Sequence, residues 1–241
     1  MRAACRLAAE TLAFAGDMVK PNVTTTAIDS AVHDFVVARG AYPSPLGYGG
    51  FPKACCTSVN NIAVHGIPDE RPLLSGDLVT IDVTVYLDGH HGDTARTFCV
   101  GAVDEPGRAL ASAAEAGLAA GIAACGPGKP FRGIGRAIYD TVSWRAHGPF
   151  CISDAFSGHG IGAAFHRPPW IYHSLNDEPG TMAAGDCFTI EPVVIQGTDS
   201  STWIFPDGWT ASTENCARAA QAEHTVLITQ SGVDVLTQAE R

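Results

Sequence analysis

Leu78-Val79-Thr80-Ile81-Asp82-Val83-Thr84-Val85-Tyr86 is rich in β-branched residues, Asp88-Gly89 is a two-residue hairpin signal, and Asp93 to Val100 reads as the returning strand. Asp82 is a carboxylate inside an otherwise apolar strand, and such a charge needs a partner when buried. With the turn at Asp88-Gly89, Asp82 lies six residues before the turn pair and Asp93 four after it, which places the two nearly opposite across the hairpin. Two carboxylates on one face repel; a shared proton or a bound cation relieves them, and hard oxygen donors suit a divalent cation. The alternative leaves Asp93 in solvent as a turn residue.

On the N-terminal side, Leu7, Phe14 and Met18 recur at helical spacing over Ala3 to Met18, and Lys20-Pro21-Asn22 ends that helix. Thr26-Ala27-Ile28-Asp29 has the form of a capping box opening a second helix, with Ile28, Val32, Phe35 and Val36 as its face and Gly40 as its stop. Downstream the pattern begins again. An Ala-rich helix spans about Arg108 to Ala124, a Gly-Pro-Gly break follows, and a second helix spans about Gly133 to Arg145. Strands come next at Cys187 to Ile195 and His224 to Thr229. At an offset of 106, Pro21 aligns with Pro127, Ile28 with Ile134, Val32 with Ile138, Val36 with Val142 and Arg39 with Arg145. Helix pair, strands, helix pair, strands predicts one α+β domain over 1–241, built of two similar halves, about 1–103 and 104–241, around a shared sheet. Chance matching of two amphipathic helix pairs is the competing explanation.

With 241 residues the chain can bury a sizeable core, and 46% hydrophobic against 17% charged residues argues against wholesale disorder. Fifteen Lys and Arg against 25 Asp and Glu give a net charge of −10, which speaks against a phosphate-binding surface and so against a direct nucleic-acid site. No apolar run approaches the roughly 18 residues of a membrane helix. Glu10 and Asp17 interrupt Met1 to Lys20, which fits neither a secretory signal nor a transit peptide. Eight scattered cysteines without a Cys-x-x-Cys pair point to a reducing cytoplasm rather than a disulfide framework.

The second half supplies more candidate ligands. Glu191 ends the apolar run Phe188-Thr189-Ile190, Glu223 precedes His224-Thr225-Val226-Leu227-Ile228, and His159 lies in Gly158-His159-Gly160-Ile161-Gly162. Two Asp, two Glu and one His form the mixed oxygen and nitrogen set that a pair of divalent ions about 3.5–4 Å apart requires. The glycine-rich segments lack the strand, helix and acidic partner of a dinucleotide site, and no His-Glu-x-x-His, Gly-x-Ser-x-Gly or phosphate loop occurs.

Tyr42-Pro43-Ser44-Pro45-Leu46-Gly47-Tyr48, Cys56-Thr57-Ser58-Val59-Asn60 and His65-Gly66-Ile67-Pro68 resemble type I methionine aminopeptidases. So do Ile81-Asp82-Val83-Thr84-Val85, His91-Gly92-Asp93-Thr94, the His159 and Glu191 segments, and Glu223-His224-Thr225, so the resemblance runs almost end to end. It implies the pita-bread fold, a pseudo-twofold α+β domain with a curved antiparallel sheet flanked by helices and two divalent metal ions (Co, Mn, Fe or Zn) between the halves. Asp82 would hold one metal, Asp93 and Glu223 would bridge both, and His159 with Glu191 would complete the other. His65 and His166 would flank the scissile bond, and Glu191 would carry the proton to the leaving amine. The methionine slot would be lined by Tyr48, Phe51, Cys56, Phe165 and Trp209, with Pro45 at its rim.

The same resemblance implies removal of the initiator methionine from peptides and nascent chains whose second residue is small, a monomer, transient ribosome contact, and a monovalent cation (Na or K) near Asn60, Ile62 and Ala219. Three positions depart from the family's common pattern: Gly49 where a larger residue is frequent, Ala222 where an aromatic usually precedes the glutamate, and Ala219 in place of a small hydroxyl residue. The chain also begins inside the family's first helix. An aminopeptidase P or prolidase type enzyme of the same fold, or a metal-free binding protein that keeps the fold, are the rival readings.

Overall fold

The computed structural model describes residues 1–143 and 146–238. Helix α1 spans Arg2–Asp17 and α2 Thr25–Val37. Thr24, in extended conformation, caps α2 by accepting from the Ala27 amide at 3.2 Å. The expected box at Thr26 to Asp29 does not form, because the Asp29 carboxylate accepts from the Ala54 and Cys55 amides at 2.7 and 3.3 Å instead. Short strands β1 (Tyr42–Pro43), β2 (Cys56–Val59) and β3 (Ile62–Val64) lead to the long hairpin of β4 (Leu78–Leu87) and β5 (His90–Cys99). Its turn is Asp88-Gly89, both residues left-handed at φ 51° and 81°, the conformation a two-residue turn needs to match strand twist.

The second helix pair follows. α3 spans Glu105–Ala123, starting three residues earlier than the periodicity indicates because Asp104 caps it, accepting from the Gly107 amide at 2.9 Å. α4 spans Arg132–Val142; the expected end at Arg145, and its match with Arg39, fall outside the described residues. Then come β6 (Phe150–Ile152), β7 (Ser157–Gly160), β8 (Arg167–Tyr172), β9 (Cys187–Ile190) and β10 (Val193–Gln196). β11 (Thr202–Ile204), β12 (Ala211–Thr213), β13 (Ala219–Gln221), β14 (His224–Ile228) and β15 (Val233–Val235) complete the chain. The run Cys187 to Ile195 is therefore two strands, parted by Glu191-Pro192, since proline cannot donate to a ladder.

All pairings are antiparallel. One sheet has β4 between β5 on one side and β1 and β2 on the other; the second has the order β15-β14-β9-β7-β8; two three-stranded sheets, β13-β10-β6 and β11-β12-β3, flank them. One buried apolar cluster draws only on residues from Leu7 to Val100, with Ile28, Val32 and Ile81 fully enclosed. A second combines Leu78 with residues from Val103 to Ile228, among them Leu110, Ile138 and Phe188, and two smaller clusters draw on both halves. No described helix is long and apolar enough to cross a membrane.

Helix α1 presses directly on the hairpin at Gly92, where a Cβ would stand 2.5 Å from the Ala4 carbonyl carbon and the Cys5 amide nitrogen. Both contacts are backbone, so neither can swing away. Gly92→Ala is expected to destabilise the protein by about 1–3 kcal/mol through overpacking, read as a lower denaturant midpoint at unchanged slope.

Candidate metal centre

The hairpin register pairs Thr84 with Asp93 and Asp82 with Ala95. Asp82 and Asp93 are thus diagonal neighbours on one face, as their offsets of six and four residues about the Asp88-Gly89 turn require. The second sheet brings its own acids by a corner. β9 pairs with β14 through His224 and Ile190, and β10 with β13 through Val193 and Gln221. The same register runs through both pairs, so Glu191 and Glu223 face each other where both strands cross from one sheet to the other.

Three bonds stitch this corner to β5. The Glu223 amide donates to the Ala95 carbonyl, Thr94 Oγ1 to the Glu223 carbonyl and Thr225 Oγ1 to the Asp93 carbonyl, each at 2.8 Å. As a result, carboxylate oxygens of Asp82, Asp93 and Glu223 lie within 4.8 Å of one another. His159 Nε2, from β7, lies 3.7 Å from Asp93 Oδ2 and 3.6 Å from Glu191 Oε1. All five residues expected as ligands meet in one cluster.

Asp93, Glu191 and His159 are held by neighbours. Thr84 Oγ1 donates to Asp93 Oδ1 at 2.7 Å and Thr189 Oγ1 to Glu191 Oε1 at 2.6 Å, while the His159 amide donates to Thr189 Oγ1 at 2.9 Å. Gln221 Nε2 donates to the Glu191 carbonyl at 3.2 Å, and the Glu191 amide donates to His173 Nε2 at 3.0 Å. His173 is buried and its pKa is pushed down to about 3 by that burial, which keeps the accepting nitrogen unprotonated. Sequence reasoning missed Thr84 and Gln221, although strand alternation puts each on the face of a ligand two residues away. His173 carried no such signal.

Burial pushes the Asp82 carboxyl up to about 7 and that of Glu191 up to about 8. Burial holds Asp93 and Glu223 well above the ordinary carboxyl range as well, each reinforced by the charges of the neighbouring acids. Burial moves His159 the other way, down to about 4, so its imidazole is neutral with a lone pair free to ligate. Four acids in this space cannot all ionise without counter-charge, and four carboxylates with one neutral imidazole are the donors a hard divalent cation takes. The residues present fit a metal.

The cluster floors a cavity of about 290 Å³ whose apolar wall includes Tyr48, Phe51, Cys56, Phe165 and Trp209, with Pro45 beside them. Cys56 pairs with Asp82 across β2 and β4, and burial first, then the nearby acids, hold its thiol well above the ordinary range; it is a neutral packing group. His65 and His166 border the same cavity. His65 is left-handed at φ 56°, an uncommon state for a non-glycine residue, and lies edge-on to Trp209 with centroids 6.1 Å apart. His166 Nδ1 is 2.8 Å from the Tyr48 hydroxyl. Phe156 and Trp170, not foreseen from the sequence, also line the cavity.

Away from the cavity, the Ala219 amide donates to the Asn60 carbonyl at 2.8 Å, which brings two of the three residues expected around a monovalent cation into contact; Ile62 starts β3 nearby. Ala222 is buried and bridges to Arg96. At Gly49, left-handed at φ 54°, a Cβ would stand 3.1 Å from the Trp209 ring. Gly49→Ala is expected to cost about 1 kcal/mol from the backbone alone and to displace Trp209, measurable as a shift of tryptophan fluorescence together with a lower melting temperature.

Residues 1–230 match the sequence pattern of metallopeptidase family M24. The chain belongs to that family. Within M24 it is 54% identical over 239 residues to methionine aminopeptidase 1B, chloroplastic, of Arabidopsis thaliana, spanning 99% of this chain and 63% of that protein. It is 48% identical to methionine aminopeptidase 1D, mitochondrial, of Homo sapiens over 98% of this chain and 69% of that protein. A crystal structure of methionine aminopeptidase from Rickettsia prowazekii superposes with a TM-score of 0.94 at 40% identity, covering 98% of this chain and 95% of the other. The type I resemblance and the pita-bread fold expected from the sequence hold for this M24 chain, and the family is one of divalent-metal peptidases.

Proposed function

We propose that this M24 peptidase removes the N-terminal methionine from peptides and nascent chains whose second residue is small. The observation that carries the reading is the convergence of Asp82, Asp93, His159, Glu191 and Glu223 on the floor of an apolar cavity of about 290 Å³. An unbranched thioether suits a slot walled by Tyr48, Phe51, Cys56, Phe165 and Trp209, since no charged group lies among those residues. A free terminal amine suits the acidic floor. Only a chain start presents both together, which makes the enzyme an exopeptidase.

In this reading Asp82, Asp93, His159, Glu191 and Glu223 would hold two divalent ions (Co, Mn, Fe or Zn). When bound, such ions polarise the scissile carbonyl and lower the pKa of the attacking water. The protein groups do the rest. Burial pushes His65 below the ordinary histidine range, and desolvation of the His166 ring between Tyr48, His159 and Phe165, despite the residue's exposed edge, pushes it down to about 3, so both act as neutral imidazoles. With the Tyr48 hydroxyl donating a hydrogen bond to His166 Nδ1, the neutral ring carries its one proton on Nε2, the donor that a developing oxyanion needs. Glu191, steadied by Thr189 and Gln221, moves the proton from the attacking water to the leaving amine.

The same proposal includes a monomer, halves at about 1–103 and 104–241 each with its own core, a monovalent cation (Na or K) near Asn60, Ile62 and Ala219, and transient ribosome contact while chains emerge. All eight cysteines are free thiols, five of them buried, which supports a reducing compartment such as the cytoplasm. The test compares Met-Ala-Ser, Met-Leu-Ser and Arg-Pro-Pro with metal supplied. Cleavage of the first alone is expected. Preference for the proline peptide would replace the reading with the aminopeptidase P or prolidase type, and cleavage of none would replace it with a binding protein.

A further inference from the structure

Beside the cavity stands an imidazole that none of these steps uses. His91 lies on β5 two residues before Asp93 and opposite Tyr86, so it shares the hairpin face of Asp82 and Asp93. Its ring lies flat against Phe165, with centroids 5.2 Å apart and planes 11° from parallel. Phe165 also stacks on His166, at 4.0 Å and 24°. Ser44, itself buried, bonds His91 Nδ1 through its Oγ at 2.9 Å, and the Tyr86 ring tilts against the imidazole at 4.8 Å. The His91 amide donates to the Gly162 carbonyl at 2.8 Å.

These contacts tie a loop to a hairpin. Residues 161–166 join β7 to β8 and carry both Phe165 and His166, and Ala163, Ala164 and His166 within them are exposed. Tyr48 tilts against Phe165 at 4.8 Å and His159 meets it edge-on at 6.2 Å, but His91 is the partner on the hairpin and stacks flat on the Phe165 ring. A histidine next to a metal ligand invites reading it as another ligand. Here Nδ1 is taken by Ser44 and a ring face by Phe165, and His91 is not among the clustered donors.

We propose that His91, oriented by Ser44, is a positioning residue: it fixes the Phe165 wall of the methionine slot, and with it the adjacent His166, relative to the strand that carries Asp93. This rests on the aminopeptidase reading and says what keeps that slot in shape. A flat aromatic stack is the essential part, so phenylalanine at position 91 substitutes for histidine whereas alanine does not.

The experiment uses the metal-loaded full chain as wild type, His91→Ala, His91→Phe and Ser44→Ala, each checked for bound metal and melting temperature. Two quantities are read: hydrogen exchange of amides 161–166, which needs no substrate, and steady-state cleavage of Met-Ala-Ser and Leu-Ala-Ser. For His91→Ala, exchange in 161–166 rises, KM for Met-Ala-Ser rises about tenfold with kcat within about threefold, and discrimination against Leu-Ala-Ser falls, the pattern of lost substrate binding. Ser44→Ala shows a smaller change in the same direction, and His91→Phe stays within about twofold of wild type. The proposal is overturned if His91→Ala leaves both exchange and KM at wild-type values, if alanine and phenylalanine impair equally, or if the defect tracks lost metal. A wild type that cleaves neither peptide removes the aminopeptidase reading instead, and the exchange data still report on the clamp.

Discussion

Asp93→Ala yields a folded protein that binds less divalent metal and releases methionine about a thousandfold more slowly than wild type, a loss of roughly 4 kcal/mol of transition-state stabilisation. Asp93 is the acid that contacts both halves of the site. One oxygen lies 3.7 Å from His159 Nε2 and the other accepts from Thr84, while its backbone is bonded to Thr225 from the second sheet. Removing its carboxylate takes a donor from the cluster and the acceptor from Thr84, while Thr225 still holds the backbone in place. Stability of the metal-stripped variant is expected to equal or exceed that of the stripped wild type, because one of four mutually repelling acids is gone. Metal stoichiometry and a melting curve for each separate this outcome from misfolding.

Metal removal changes how stability depends on pH. Asp82 and Glu191 have folded pKa values of about 7 and 8, against ordinary carboxyl values near 4, and burial and the neighbouring acids hold Asp93 and Glu223 well above the ordinary range too. An acid whose pKa is raised by folding binds more protons folded than unfolded, so its contribution to stability grows as pH falls through the folded value and is lost as pH rises. Chelator-stripped protein therefore gains stability as pH falls from about 8.5 to about 6.5, read as a rise in melting temperature. Below about 6.5 the lowered values of His159, His166 and His173 oppose that gain, since unfolding there takes up protons on the same rings. Adding Mn or Co at pH 8.5 raises the melting temperature and removes the gain on acidification, because the cations neutralise the same charges.

Much of this site is legible in the chain because the chemistry is anomalous where it sits. A carboxylate in Ile81-Asp82-Val83 is visible against its apolar neighbours, and so is Glu191 at the end of Phe188-Thr189-Ile190. The hairpin turn is legible for the same local reason, since Asp88-Gly89 names its own conformation. The register follows from that turn: Asp82 and Asp93, six and four residues from the turn pair, read as nearly opposite and are diagonal neighbours on one face. The cap of α2 moved to Thr24 because Asp29 is drawn to the Ala54 and Cys55 amides, a contact 25 residues away that periodicity cannot show. His173 and His91 stayed hidden for a related reason: each acts through a neighbour placed by tertiary packing, one on the Glu191 amide and the other on the Phe165 ring.

The most direct test of the central claim is release of free methionine from Met-Ala-Ser by chelator-stripped protein, before and after Mn or Co is added back. The account predicts no release from the stripped protein, and recovery with added metal that Asp93→Ala does not share. Release at the same rate without metal, or none from a folded, metal-loaded sample, would contradict it.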